Sequence, residues 1–284
     1  MAELGAPPVD SVLKKGGTSG GQLTFARWEI AVGEGRLRAA TITEAEFADL
    51  VNTVAHEGQH AEQWFRMAQI EAMTGADAAA ISKKLGIPIE VAEAAAEVQK
   101  GTRPGLKLAG GAAEAEARAF YESVYGANRG ARKATFKELD AAADELREAA
   151  REWGGVEELT MPNAQREAAA KRLTAAKARR EAAMAAYKRL PEEADAFRVG
   201  DAAGAAMAER FRLLSGIQAA ERLEKSLMDE IRPIEALFFE VADKPSLHVA
   251  YDKQLEYYAK IGRWKETLDN IARLQERLDA LGAP

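Results

Sequence analysis

His56-Glu57-Gly58-Gln59-His60 is the stretch of this 284-residue chain best suited to chemistry. It holds two of the three histidines, four residues apart. On a helix, residues i and i+4 share a face, so both imidazoles can bind one metal ion. Glu57 points aside from that face, where it can take a proton from a metal-bound water. The cation expected for this pattern is Zn2+, which lowers the pKa of bound water from about 15.7 to about 7 and polarises a carbonyl. Glu57 would then pass the proton to a leaving amine. Two histidines leave zinc short, because a catalytic site has three protein ligands plus water. The form with a third histidine six residues after the second does not apply. Gln63 stands where its glycine would be, and the later position is Arg66. The third ligand must come from further along, where His248 is one candidate.

The elements that would hold these residues are mostly helices. Thr43-Glu44-Ala45-Glu46 is a capping box, with Thr43 as N-cap and Glu46 reaching back. The helix it opens is expected to run to about Gly75. Phe47, Leu50, Val51, Val54, Gly58, Ala61, Phe65 and Ala68 form its apolar stripe, with His56 and His60 beside the stripe on a cleft wall. Residues 22–38 carry the best strand signal, through Leu23, Phe25, Trp28, Ile30 and Val32, with a turn or bulge near Gly33 and Gly35. Two short helices flank Leu85-Gly86-Ile87-Pro88. They resemble a helix-turn-helix, but the second carries Glu90, Glu93 and Glu97, which argues against a DNA reader and favours a packed hairpin. A Gly-rich loop at 101–111 leads to a helix from about Ala112 to Gly126.

From about 132 the chain is Ala-rich, charged and helical. Helices are expected at 133–153, 163–190, 203–231, 246–260 and 263–281, punctuated by Gly154-Gly155, Pro162, Pro191, Gly200, Pro233 and Pro245. Segment 137–158 has eight acidic and three basic residues, and 163–190 has eight basic and two acidic. Opposite charge predicts that these two pair as a hairpin. Trp264, Leu268, Ile271, Leu274, Leu278 and Leu281 form a coiled-coil-like seam, either internal or the interface of an oligomer.

The fold class expected is mainly α with a small strand element. Three regions follow: a flexible leader (1–21), a front domain (22–131) and a helical bundle (132–284). A hydrophobic content of 47% supports a sizeable core. There are no cysteines, so disulfides, thiolate metal sites and a cysteine nucleophile are excluded. A net charge of −6 gives no general attraction to nucleic acid or anionic lipid. No apolar run is long enough for a membrane span. The first residues lack the apolar region of a standard secretory signal. The expectation is a cytoplasmic protein in its producer; if it leaves the cell, a dedicated machine must carry it.

His56-Glu57-x-x-His60-x-x-Gln63, followed after a helical insertion by E-x-E-A, resembles the zinc-peptidase-like domain linked to bacterial extracellular contractile injection systems. The stretch AHEGQHAEQWFRMAQ also resembles metallopeptidase domains of polymorphic toxins and phage-delivered proteins. The similarity covers roughly residues 22–127. It implies a gluzincin-like (zincin) fold, zinc endopeptidase activity on a peptide or protein substrate, and a role as effector, toxin or cargo of an injection system. Glu114-Ala115-Glu116-Ala117-Arg118-Ala119-Phe120 resembles the E-x-E-A-D-x-F helix of several zinc peptidase families. That match implies Glu114 as the third ligand, with Ala117 one turn later letting the helices approach, and Glu116 as the alternative. The family's aspartate that steadies a ligand histidine is replaced by Arg118, and Gln63 is placed among the outer residues of the site. Tyr121, Tyr125 and His248 are the candidates to stabilise an oxyanion. The strand segment 26–32 offers an edge for an extended peptide. The alternative is a degenerate or zinc-stabilised fold that docks cargo or a partner as a structural module.

Overall fold

The computed structural model describes residues 1–14, 21–34, 42–156, 163–242 and 251–282. Among these it is mainly α, with eight helices and one small three-stranded sheet. The strands are β1 (Asp10–Lys14), β2 (Gly21–Thr24) and β3 (Glu29–Gly33). The helices are α1 (Glu44–Met73), α2 (Ala78–Leu85), α3 (Ile89–Lys100), α4 (Gly111–Val124), α5 (Arg129–Val156), α6 (Asn163–Tyr187), α7 (Pro191–Ala242) and α8 (Tyr251–Ala280). No helix of the described residues is long and apolar enough to cross a membrane. The chain divides into two units: residues 1–42 with 49–203, and residues 43–48 with 204–284.

In the first unit β3 is the central strand, parallel to β1 and antiparallel to β2. Its Ile30, Ala31 and Val32 are buried. Both edges of β3 are therefore occupied, and the expected peptide-binding edge over 26–32 does not exist there. The reversal between β2 and β3 uses a 3-10 turn at Phe25–Arg27 and a left-handed Trp28; Gly33 ends β3, and Gly35 lies outside the described residues. Trp28 is buried all the same, and its indole N–H donates to the Pro7 carbonyl at 3.3 Å. Residues 1–14 are not a free leader. Leu4 and Ala6 join the core, and β1 pairs with β3 although all five of its residues are exposed. Because β1 buries no side chain, it carries no alternation to betray it.

The capping box forms as expected. The Glu46 amide donates to Thr43 Oγ1 at 3.2 Å, and the Thr43 amide donates to Glu46 Oε2 at 2.8 Å. In α1 the apolar stripe is fully buried from Ala61 through Phe65 to Ala68, whereas Val54 is exposed. The buried half packs with Ile81, Leu85, Ile87, Val91 and Val98 of the α2–α3 hairpin and with Phe120 of α4. The Leu-Gly-Ile-Pro turn thus serves the core, and Glu90, Glu93 and Glu97 remain exposed.

Helices α5 and α6 pack along each other as the charge pattern predicts. Arg179 Nε reaches Glu138 Oε1 at 2.8 Å, and Arg172 Nη1 reaches Glu152 Oε2 at 2.6 Å. These pairs are exposed and each contributes little, so they set the pairing of the hairpin more than its stability. The unit boundary falls near residue 203, not at 131/132. Composition could not mark it, because the Ala-rich charged pattern runs unbroken across it.

Two helices are longer than expected. Pro191 and Pro233 read as stops, yet α7 starts with Pro191 and runs through Gly200 and Pro233. Proline at the first helical position loses no hydrogen bond, and Glu192 and Glu193 in that first turn favour the positive helix end. Helix α8 runs through Gly262 without a break. The residues at 243–250, including Pro245 and the start expected at 246, lie outside the described residues.

In the second unit, Leu213 and Ile217 of α7 cluster with Leu278, and Leu274 packs against them. Trp264 donates its indole N–H to Glu224 Oε1 at 3.0 Å. That part of the predicted seam is internal, while Leu268 and Leu281 are exposed. Phe47 meets Phe211 edge-on at 5.7 Å, within the same unit.

Candidate metal centre

Helix α1 carries the two histidines and the first turn of α7 supplies the group they face. His56 Nε2 lies 3.8 Å and His60 Nε2 lies 3.5 Å from Glu193 Oε2. One donor atom from each residue falls within 4.8 Å of the others. Among the described residues this is the one His/Cys/Asp/Glu group able to hold a metal ion. His60 is 8% and Glu193 3% exposed, and His56 is partly buried. Glu193 Oε2 is buried with no hydrogen-bond partner. Leaving such an oxygen unpaired is costly, and a cation between it and the two imidazoles would satisfy it. With zinc bonds of about 2.0–2.2 Å, tetrahedral ligands stand about 3.3–3.6 Å apart, so the Glu193 contacts are close to fitting while the two imidazoles must draw together by about 1 Å.

The approach of the two helices depends on Gly200. A Cβ there would stand 2.8 Å from the Asn52 carbonyl oxygen, 2.7 Å from Asn52 Oδ1 and 3.1 Å from His56 Cβ. The Asn52 side chain also donates to Asp201 Oδ1 at 2.9 Å, which pins the crossing. Gly200→Ala is expected to force the helices apart, lowering stability by about 1–3 kcal/mol. Urea unfolding checks the stability, and a zinc titration of the folded variant should show weaker binding.

Outer contacts hold the ligands. His60 Nδ1 is 2.9 Å from Gln63 Oε1. The Gln63 side-chain nitrogen donates to the Glu192 carbonyl at 2.8 Å and to Asp195 Oδ2 at 3.0 Å. Asp195 also accepts from Gln59 Nε2 at 2.7 Å and from Arg198 at 2.6 Å. Burial raises the Asp195 pKa, but Gln63, Arg198 and Gln59 outweigh it and hold the group below the usual range. Glu57 lies one residue past His56, and its Oε2 accepts the Leu23 amide of β2 at 2.8 Å. The same contact seats β2 on α1, because a Cβ on Gly21 would stand 2.9 Å from Thr53 Cγ2 and 3.1 Å from Glu57 Cγ.

The charges respond to one another. Burial lowers the pKa of His56, and His60 beside it lowers it further. Burial also works against charge on His60, but the Glu193 carboxylate wins and the His60 pKa is raised. Burial raises Glu193, and His60 more than offsets it, leaving that carboxylate below its usual range. A cation must take the place of the His60 Nε2 proton. Zinc affinity should therefore fall as pH drops through the His60 value, which lies above 6.5, and uptake near neutrality should release part of a proton. Calorimetry in two buffers of different ionisation enthalpy measures that release.

The other expected site residues lie elsewhere. Glu114 accepts the Gly110 amide at 2.8 Å and pairs with Arg118 at 2.7 Å, both at its own end of α4. Glu116 pairs with Arg66 at 3.3 Å. Neither joins the histidines; the carboxylate that faces them is Glu193. Tyr125 donates its hydroxyl to the Leu85 carbonyl, and Tyr121 lies against Lys84. His248 lies outside the described residues. The phenol that faces the cluster is Tyr187, whose pKa is raised first by burial and then by the Glu193 and Glu57 carboxylates. Its ring meets Phe197, which in turn meets His56.

Glu193 had a signal in the chain. Glu193-Ala194-Asp195-Ala196-Phe197 reads E-A-D-x-F, and it keeps the aspartate that Arg118 replaces in the α4 match. Tyr187, at the end of an Ala-rich basic helix, had none. Compared with protein-family models, with curated proteins and with solved structures, the chain matches none of them.

Proposed function

We propose that this chain is a zinc-dependent peptidase whose metal is held by His56, His60 and Glu193. The observation that carries the reading is the buried, unpartnered Glu193 oxygen facing both imidazole Nε2 atoms, with Glu57 next to the first histidine. Zinc bound there supplies a Lewis acid that polarises a carbonyl and acidifies water. Glu57 is the general base, taking a proton from the attacking water and returning it to the leaving amine. Tyr187 would donate a hydrogen bond to a developing oxyanion, the role the sequence offers to Tyr121, Tyr125 and His248. The resemblance to injection-system and toxin domains adds an effector or cargo role to the same proposal.

The test separates metal binding from turnover. Purified protein should hold about one equivalent of zinc and cleave an unstructured protein such as casein. Glu57→Gln should retain the zinc and lose about 10²–10⁴-fold in kcat/KM. Full activity in Glu57→Gln would sink the mechanism.

A second reading has its own support. The near-complete burial of His60 and Glu193, and the use of Glu57 to hold β2, suit a closed zinc site that stabilises a partner-docking module. Zinc at one equivalent with no cleavage of any protein substrate, and a cobalt-substituted site blind to added hydroxamate, would favour it.

A further inference from the structure

The side-chain amide of Gln63 has no freedom to choose its orientation. It is fully buried. Its nitrogen meets the Glu192 carbonyl oxygen and the Asp195 carboxylate, neither of which can donate. The NH₂ must face those two acceptors, which turns Oε1 toward His60 Nδ1 at 2.9 Å. An amide oxygen only accepts, so Nδ1 must carry the hydrogen. The neutral ring then keeps its lone pair on Nε2, the atom that faces Glu193. Free neutral histidine favours the opposite tautomer, with hydrogen on Nε2 and no lone pair there for a cation.

Asp195 is itself fixed. Oδ2 accepts from both Gln63 and Gln59, and Oδ1 accepts from Arg198. Turning the Gln63 amide over would set its oxygen against a carbonyl and a carboxylate at about 3 Å. It would also set an NH₂ against the Nδ1 hydrogen.

We propose that Asp195 is a positioning residue that acts through the Gln63 amide to hold His60 as its Nδ1–H tautomer, so that Nε2 is ready for a cation. The usefulness of this arrangement rests on the metal-site reading above, but the tautomer does not. The relay couples two helices, because His60 and Gln63 belong to α1 while Glu192 and Asp195 belong to α7.

The experiment reads the tautomer in metal-free full-length protein by long-range proton–nitrogen NMR, at a pH where His60 is neutral. Zinc affinity is measured in parallel by chelator competition. Wild-type protein should show Nδ1–H. Gln63→Leu should switch His60 to Nε2–H and weaken zinc about 10–100-fold, the range for groups that orient a ligand. Asp195→Ala should populate the Nε2–H form and weaken zinc about tenfold. Added to Gln63→Leu it should change zinc affinity little, because its effect passes through that amide. Asp195→Asn, which keeps an acceptor oxygen for Gln63, should retain the tautomer. If the alanine variant does not fold by circular dichroism, the volume-matched Asp195→Leu takes its place.

An unchanged tautomer in Asp195→Ala or Asp195→Leu would overturn the relay, as would full additivity with Gln63→Leu. A wild-type protein that binds no zinc, yet whose tautomer follows Asp195, would overturn the proposed function and leave the relay standing.

Discussion

Glu193→Ala is expected to leave a folded protein that no longer retains zinc through gel filtration. His56 and His60 alone offer two of the three protein ligands that a catalytic zinc site uses. The loss should exceed the roughly 10–100-fold typical of changes to groups that only orient a ligand. Peptidase activity should go with the metal. Glu114→Ala is the informative contrast, because Glu114 caps and pairs within α4 and stands apart from the histidines. It should keep one equivalent of zinc and near wild-type turnover. The two variants exchange the roles that the α4 match implied for them. Zinc retained in Glu193→Ala and lost in Glu114→Ala would refute the ligand set. Removing Glu193 also takes away the carboxylate that raises the His60 pKa, so the metal-free variant should lose part of that stabilisation yet remain folded at neutral pH. Loss of metal without loss of fold would mark Glu193 as a ligand rather than a packing residue.

Arg132→Met is expected to destabilise the first unit by about 3–5 kcal/mol, since it strips the partner from a buried carboxylate. Glu192 is fully buried, and its Oε1 accepts from Arg132 Nε at 2.6 Å. Its other oxygen has no partner. The guanidinium also lies 4.5 Å from the Phe136 ring centre, so methionine keeps much of the apolar contact and isolates the charge effect. Urea unfolding at neutral pH measures the loss. Pairing Arg132→Met with Glu192→Leu should restore most of it, because an apolar pair replaces the ionic one without leaving a lone charge. Failure of the double variant to recover would mean that the pair's hydrogen-bond geometry matters more than its charge balance. This ion pair joins α5 to the start of α7, one residue before Glu193, so the double variant's zinc affinity also reports how far the pair aligns the ligand.

The parts legible in the sequence were those with local causes. The capping box at Thr43 and Glu46, the i, i+4 histidines and the opposite charges of α5 and α6 act over one turn or one hairpin. Local chemistry states them completely. Glu193 was hidden because its role depends on a long-range packing of α7 on α1. Only a close approach at Gly200 makes that possible. Pro191 looked like a break, yet its missing N–H costs nothing at the first helical position, so the helix began where a gap was expected. The α4 glutamates drew the third-ligand expectation through their E-x-E-A match, although Arg118 departs from that pattern at the aspartate. β1 escaped for a different reason: a strand with every side chain exposed carries no alternation of polar and apolar residues.

The distance along the chain between His60 and Glu193 has a consequence for biosynthesis. Both histidines leave the ribosome long before Glu193, with α2 to α6 made in between. Throughout that interval the growing polypeptide holds two imidazoles and the carboxylate of Glu57, but no complete ligand set. If His56, His60 and Glu193 hold a metal as proposed, that capacity arrives only when the first turn of α7 docks. The cluster is thus a late product of translation, and a chain that stops short of residue 193 lacks the carboxylate that faces the two histidines.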